Sequence, residues 1–360
     1  MLMKRVCTYL FIIAFFMFYG CTPPPSKTPT SDSVVMYPLP PAAPRIQYLT
    51  SFSTSSEFSG PQPAFRRIVF GEEEPLPIIK PYGISGEKGK IYICDTGLSG
   101  LEILDLDKNE FSYFIPKGLG QLMMPINCCK QDNGKLYVTD SKRKQVVVFN
   151  PDLSFNGSLN LPDEQKPTDV FCQDSLFYVS AMDGHAIYSF SSTNLAEVDR
   201  IKGSEYTPGS ILYQPVNFTC TDSHVIISDI GASQVTVYNN DGTYSHTIGS
   251  PGKDAGQFTR PKGIAADRDG NIYVVDAAFE NIQVFNSKGD LLMYFGGTYS
   301  GHGGMWLPAD VYIDYENTAY FNEYLLPGLE MKYLIWVTNQ YGPDKISVYG
   351  FIGESKEEQP

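Results

Sequence analysis

Histidine is scarce in this sequence. The four residues His185, His224, His246 and His302 stand far apart, with no pair at the short spacing of a metal site. There is no Cys-x-x-Cys, so neither a thioredoxin-like site nor a zinc ribbon is expected, and no Cys-x-x-Cys-His for a covalent haem. A Gly-x-Ser-x-Gly elbow and a phosphate-binding loop are also missing. No long segment shows a 3.6-residue apolar period, which argues against a helical fold. Positive charge is in deficit. The 27 Lys and Arg face 40 Asp and Glu, for a net charge of -13. That balance excludes nucleic acid as a partner and disfavours electrostatic binding to anionic lipid.

Aromatic and turn-forming residues are abundant. The 24 Tyr, 22 Phe, 32 Gly and 26 Pro fall into short aromatic or β-branched runs punctuated by turns, the pattern of an all-β fold. Some of these runs repeat. The clearest copy is GQFTRPKGIAADRDGNIYVVDAAFENIQVFNSKGDLLMYFGG (256–297), and its frame starts again at Pro81, Pro125, Pro167, Pro215, Pro261 and Pro308. The successive spacings are 44, 42, 48, 46 and 47 residues. Four short strands in about 45 residues make one propeller blade. The copies resemble NHL repeats, with a Pro-x-Gly opening, an Asp-Gly turn, a Tyr-Val-x-Asp strand and an Ile-x-Val-Phe strand. The expected fold is therefore an all-β, six-bladed propeller of NHL type with four strands per blade, over residues 45–353. RIQYLTSFS (45–53) is expected to pair with the last blade and close the ring, and 58–77 to cross one face. In the last copy, LLPGLEMKY (325–333) is placed between the second and third strands, and LIWVTNQYGPDKISVYGF (334–351) supplies a final hairpin.

The N-terminus is a separate unit. Lys4 and Arg5 precede an apolar run from Val6 to Tyr19, short for a membrane span, and Gly20-Cys21 follows. This layout resembles a bacterial lipoprotein signal, although Phe18 and Tyr19 are bulkier than usual. It implies a signal peptide over 1–20 and lipidation of Cys21, which makes the membrane a partner through the acyl chains. Thr22 in place of Asp points to the outer membrane, with the propeller outside the cytoplasm. The Pro-rich segment 22–44 is expected to be an extended tether, and 354–360 a disordered tail.

Two repeated positions carry chemistry. The second strand ends in Asp95, Asp140, Asp229 and Asp276, with Ser180 and Glu323 as equivalents in copies three and six; an Asp here can accept turn N–H groups. Two residues after each Pro stand Gly83, Asn127, Asp169, Asn217, Gly263 and Asp310. Asn127, Asp169, Asn217 and Asp310 should converge on the axis. They are either turn residues in place of Gly or hard oxygen donors that suit Ca²⁺ or another divalent cation. The five remaining cysteines, Cys94, Cys128, Cys129, Cys172 and Cys220, are an odd set and are expected to pack as small apolar groups. Lys142, Arg143 and Lys144 form a small basic spot, either a docking contact or a solvated turn.

No cofactor is required by these residues, and no catalytic set is complete. The resulting expectation is a non-catalytic envelope lipoprotein that docks another envelope protein. The resemblance further implies an electron-transfer assembly as its setting. The alternative is a metal-dependent hydrolase or lactonase with the ion on the axis.

Overall fold

The computed structural model describes residues 34–60 and 74–354. Cys21, the leader, residues 61–73 of the expected crossover and the tail after Glu354 lie outside the described residues. Two strands, β1 (Met36–Tyr37) and β2 (Ile46–Phe52), come first, followed by a short helix α1 (Ser55–Ser59). Blade 1 contains β3 (Pro81–Glu87), β4 (Lys90–Asp95), β5 (Gly100–Asp105) and β6 (Glu110–Phe114). Blade 2 contains β7 (Pro125–Lys130), β8 (Leu136–Asp140), β9 (Gln145–Phe149) and β10 (Phe155–Asn160). Blade 3 contains β11 (Pro167–Gln173), β12 (Leu176–Ala181), β13 (Ala186–Ser191) and β14 (Glu197–Ile201). Blade 4 contains β15 (Pro215–Cys220), β16 (His224–Asp229), β17 (Gln234–Asn239) and β18 (Tyr244–Ile248). Blade 5 contains β19 (Pro261–Ala266), β20 (Ile272–Asp276), β21 (Asn281–Phe285) and β22 (Leu291–Gly296). Blade 6 contains β23 (Pro308–Asp314), β24 (Leu329–Asn339) and β25 (Ile346–Glu354), completed by β2 with β1 at its outer edge.

All pairings within the blades are antiparallel. Each inner strand touches the next around the axis, and β23 touches β3, so the ring is closed. The chain enters every inner strand at its Pro, so the loops between blades and the turns between second and third strands share one face. We call this the proline face. Asp-Gly turns on the opposite face hold Gly270 at φ +81° and Gly242 at φ +80°, the left-handed region that favours glycine.

The core is divided among the blade interfaces. Strand alternation sends successive side chains to opposite neighbours. In β24, Tyr333, Ile335 and Val337 pack against blade 5, while Leu334 and Trp336 pack against blade 1. In β20, Tyr273 and Val275 face blade 6, and Ile272 and Val274 face blade 4. Both faces of these strands are buried, so their sequences read as nearly unbroken apolar runs.

The last copy departs from the expected register. Its second strand is β24, and Leu329–Tyr333, expected in a connection, belong to it. Thr318–Tyr324 is instead a 3-10 segment. The chain turns out of β23 because the Asp314 carboxylate accepts the N–H groups of Glu316 and Asn317 at 2.9 and 3.1 Å. Asn317 then bonds across to blade 1, accepting from Gly89 N–H and donating to the Glu87 carbonyl. The closing pair is as expected: Ile46 faces Phe351 and Phe52 faces Ile346. Met36–Tyr37, inside the Pro-rich segment, form β1 on this blade, and Tyr37 is buried against Phe295. An aromatic side chain with a pocket to fill outweighs the proline-rich composition around it.

Candidate functional site

The repeated Asp residues are turn clamps. Asp95 accepts N–H bonds from Ile79 and Lys80 before the inner strand, and from Gly97 and Leu98 in its own turn. Asp140 does the same for Met123, Met124, Lys142 and Arg143. Asp229 and Asp276 repeat the arrangement in blades 4 and 5. Strand register corrects two equivalents. The residues opposite the inner-strand Pro are Ala181 in blade 3 and Asn339 in blade 6, not Ser180 and Glu323. Asp183 accepts from Lys166 N–H in the first case, and Asn339 accepts from Trp306 N–H in the second. Glu323 lies in the 3-10 segment because the strand expected to carry it is not a strand.

On the axis, three of the four expected residues meet. The Asn127 amide donates to Asp169 Oδ1 at 2.5 Å and to Asp310 Oδ2 at 3.2 Å. Asp169 Oδ2 accepts from Phe218 N–H of blade 4, and Asp310 Oδ2 accepts from Ile84 N–H of blade 1. Each carboxylate therefore braces its own inner strand to the next blade. Asn217 occupies the same layer, and its backbone N–H is held by Ser228 Oγ at 3.3 Å. Gly83 and Gly263 give the larger residues room. A Cβ at Gly83 would lie 2.4 Å from Asn127 Oδ1, and one at Gly263 2.4 Å from Asp310 Cα.

Burial pushes the Asp169 carboxyl well above the usual carboxylate range, with the Asp310 charge as the next cause. Burial also raises Asp310, to about 7, against the N–H groups of Ile84 and Val311 that hold it down. Beyond this layer, towards the face opposite the prolines, the axis opens into a cavity of about 370 Å³. Ser85, Phe171, Phe218, Cys220, Ile264 and Tyr312 are among its lining residues. A cavity with an apolar wall and a polar floor is a ligand-pocket shape.

The axial set does not fit a divalent cation. Such an ion needs oxygen lone pairs converging on one point. Here an amide N–H points at both carboxylates, and Asn127 Oδ1 accepts from Cys128 N–H. Among the described residues no group of three His, Cys, Asp or Glu could hold a metal ion. None of the four histidines lines the axial cavity.

The cysteines correct a second expectation. Cys129 on β7 and Cys172 on β11 form a disulfide with Cα atoms 5.8 Å apart, joining blades 2 and 3 at the cavity wall. Cys172 and Cys220 share a repeat position, but the partner of Cys172 is one position earlier in the preceding blade. Cys94, Cys128 and Cys220 remain thiols.

Sequence reasoning did not find the surface on the proline face. Tyr341 from blade 6, Ile79 before blade 1, and Ile115, Leu119, Met123 and Met124 from the loop between blades 1 and 2 are all exposed, Leu119 at 78%. Their elements are joined: Ser99 Oγ donates to the Met123 carbonyl at 3.2 Å, and Arg143 donates to the Leu119 carbonyl at 3.1 Å. Lys80 and Lys345 lie over the Tyr341 ring at 5.5 and 5.9 Å. The basic spot at Lys142–Lys144 borders the same arc, with Lys144 paired to Glu164. The residues come from three blades, so no sequence window displays them together.

Residues 206–349 match a family described as a 6-bladed beta-propeller. No curated protein matches the sequence. Among solved structures, a streptogramin B lyase is similar with a TM-score of 0.53 and 15% identity, over 79% of this chain and 85% of that one. A catalytically inactive His-to-Ala virginiamycin B lyase from Staphylococcus aureus, solved with quinupristin, gives 0.52 and 15% over 76% and 95%. A protein of unknown function from Bacteroides thetaiotaomicron VPI-5482 gives 0.54 and 15% over 77% and 70%. At these identities the likeness shows the propeller fold alone.

Proposed function

We propose that this chain is a membrane-anchored bacterial envelope lipoprotein whose propeller, built of NHL-type repeats, is a non-catalytic docking platform for another protein. The observation that carries the reading is the apolar arc of Ile79, Ile115, Leu119, Met123, Met124 and Tyr341 on the proline face. Exposed apolar side chains gathered on one face mark an interaction surface. Lysines and an arginine fringe the arc on a chain of net charge -13, so the complementary partner is a protein segment with apolar side chains and an acidic rim. Lipidation of Cys21 supplies the anchor in this reading. The chain from Cys21 to Val34 reaches at most about 45 Å when extended, which keeps the propeller close to the membrane. No helix among the described residues is long and apolar enough to cross a membrane. An electron-transfer protein is one partner the reading admits, and nothing in the arc is particular to it.

The axial cavity of this chain holds two buried carboxyls committed to backbone N–H groups and no histidine, so no specific observation favours hydrolysis or elimination.

The test places a photo-crosslinking residue at position 119 or 123 of the full-length lipidated protein in its native envelope, with position 241 on the opposite face as control. The expected result is one protein cross-linked from 119 and 123 but not from 241, through an acidic, apolar segment. Cross-links to lipid alone, or equal labelling from both faces, would overturn the proposal.

A further inference from the structure

The axis is closed on the proline face by an unusual pair. Lys262, one residue into β19, is only 3% exposed, and its Nζ lies 4.6 Å from the centre of the Tyr82 ring. Lys262 belongs to blade 5 and Tyr82 to blade 1. The intervening blade 6 presents Ala309 at the same position, fully buried, and this small side chain leaves the gap that the lysine crosses. The lysine stem and the ring thus lie across the mouth above the Asn127–Asp169–Asp310 layer.

Its surroundings are cationic. Burial lowers the Lys262 ammonium to about 7, and the charges of Arg260 and Lys80 push it further in the same direction. The one carboxyl that opposes them, Asp310, already accepts from Ile84, Val311 and Asn127. Burial lowers Lys345 as well, with the Asp95 charge opposing and the Lys80 charge adding to the effect, and its ammonium donates to the carbonyls of Ile79 and Gln340. Among the described residues none of Lys80, Arg260, Lys262 and Lys345 makes an ion pair with a carboxylate. A buried ammonium without a counter-ion is costly unless a partner arrives to neutralise it.

We propose that the proline-face mouth of the axis is an anion site in which Lys262, Lys80 and Arg260 receive a carboxylate presented by the docked protein. The inference rests on the docking reading and names the polar contact that would orient the partner. The arc supplies apolar area around blades 6, 1 and 2, and the mouth supplies a desolvated amine at the centre of the ring that gains its charge as the anion enters. The Tyr82 hydroxyl is protonated, since burial raises it to about 12, and it can donate to the same anion. A carboxylate entering the mouth favours the charged form of Lys262, so binding above pH 7 takes up a proton.

The experiment titrates the full-length protein at pH 8 with a short glutamate-containing peptide, and separately with inorganic phosphate, by calorimetry in two buffers of different ionisation heat. The expected result is peptide binding with proton uptake. Lys262→Met, which keeps an apolar stem over Tyr82, weakens it at least about tenfold and abolishes the uptake. Arg260→Ala, at an exposed position, weakens it without disturbing the fold. Unchanged affinity in both variants overturns the proposal. Phosphate binding that the peptide does not displace also overturns it, because the site would then serve a free small anion. Leu119→Asp, read with the cross-linking residue at position 123, separates the two readings: it removes the cross-link from the arc and leaves the peptide titration intact. If the docking reading alone fails, the titration still responds to Lys262.

Discussion

Glu102 on β5 is fully buried, with its carboxyl beside that of Asp95. Burial raises it well above the usual range, and the neighbouring Asp95 charge adds to the effect. A carboxyl whose folded value is raised contributes most below its unfolded value of 4.5, and that contribution is lost as pH rises towards the folded value. Glu102→Gln removes this titration and keeps the shape. The variant is expected to melt at a higher temperature than the parent at pH 7 to 8, with the difference shrinking as pH falls to 4.5. Melting curves across that range check it, and a parallel pair of curves would refute it. Asp95 beside it stays useful because its four N–H bonds fix both turns at the head of blade 1. The repetition of that Asp was readable from sequence, and so was its role. Its replacements in blades 3 and 6 were not, because Asp183 acts from two residues past the position opposite Pro167, and Asn339, opposite Pro308, ends a strand that local composition placed elsewhere.

Between elements, the Cys129–Cys172 disulfide ties two inner strands that share no hydrogen-bonded ladder. The two cysteines are 43 residues apart, one repeat period, and closing a loop of that length restricts the unfolded chain by up to about 4 kcal/mol. Replacing both cysteines with serine is expected to lower stability by about 2–4 kcal/mol in chemical denaturation, and adding a dithiol to the parent should move it towards the variant. An unchanged midpoint in both would show that the bond is not formed. Five candidate cysteines gave no pairing in sequence, because pairing depends on which strands lie side by side and on the stagger between them. The last blade shows the same limit. Thr318–Tyr324 has a strand-like composition, yet Asp314 and Asn317 turn the chain there and Phe321 is buried beside Trp336.

At the scale of the ring, closure depends on β2. Its residues pair with β25, so the N-terminal strand completes the blade that the C-terminal strands begin. Ile46→Glu would place a charge at a fully buried position of that seam. The expected outcome is loss of cooperative unfolding, with fast hydrogen exchange in β25 before any other blade. Protection retained in β25 would mean that blade 6 holds without its fourth strand. The closed ring also creates the two surfaces on which the functional reading stands. The apolar arc and the cationic mouth are assembled from loop ends of blades 1, 2, 5 and 6, and neither exists in any one repeat.

The sequence by itself determined the repeat, the number of blades, the order of strands in five of them and the ring-closing strand. Period-2 alternation and turn residues act over a few neighbours, and a regular spacing multiplies that local signal. It also marked Asn127, Asp169, Asn217 and Asp310 as one layer, because equal repeat positions must lie at equal depth along the axis. Only the tertiary structure decided that Asn127 bridges the two carboxyls and that Cys129 meets Cys172. It alone decided that Lys262 reaches over Ala309 to Tyr82 and that six exposed apolar side chains share one face. Those contacts join residues from different blades, and their distances are set by the radius and stagger of the ring, which local patterning does not encode.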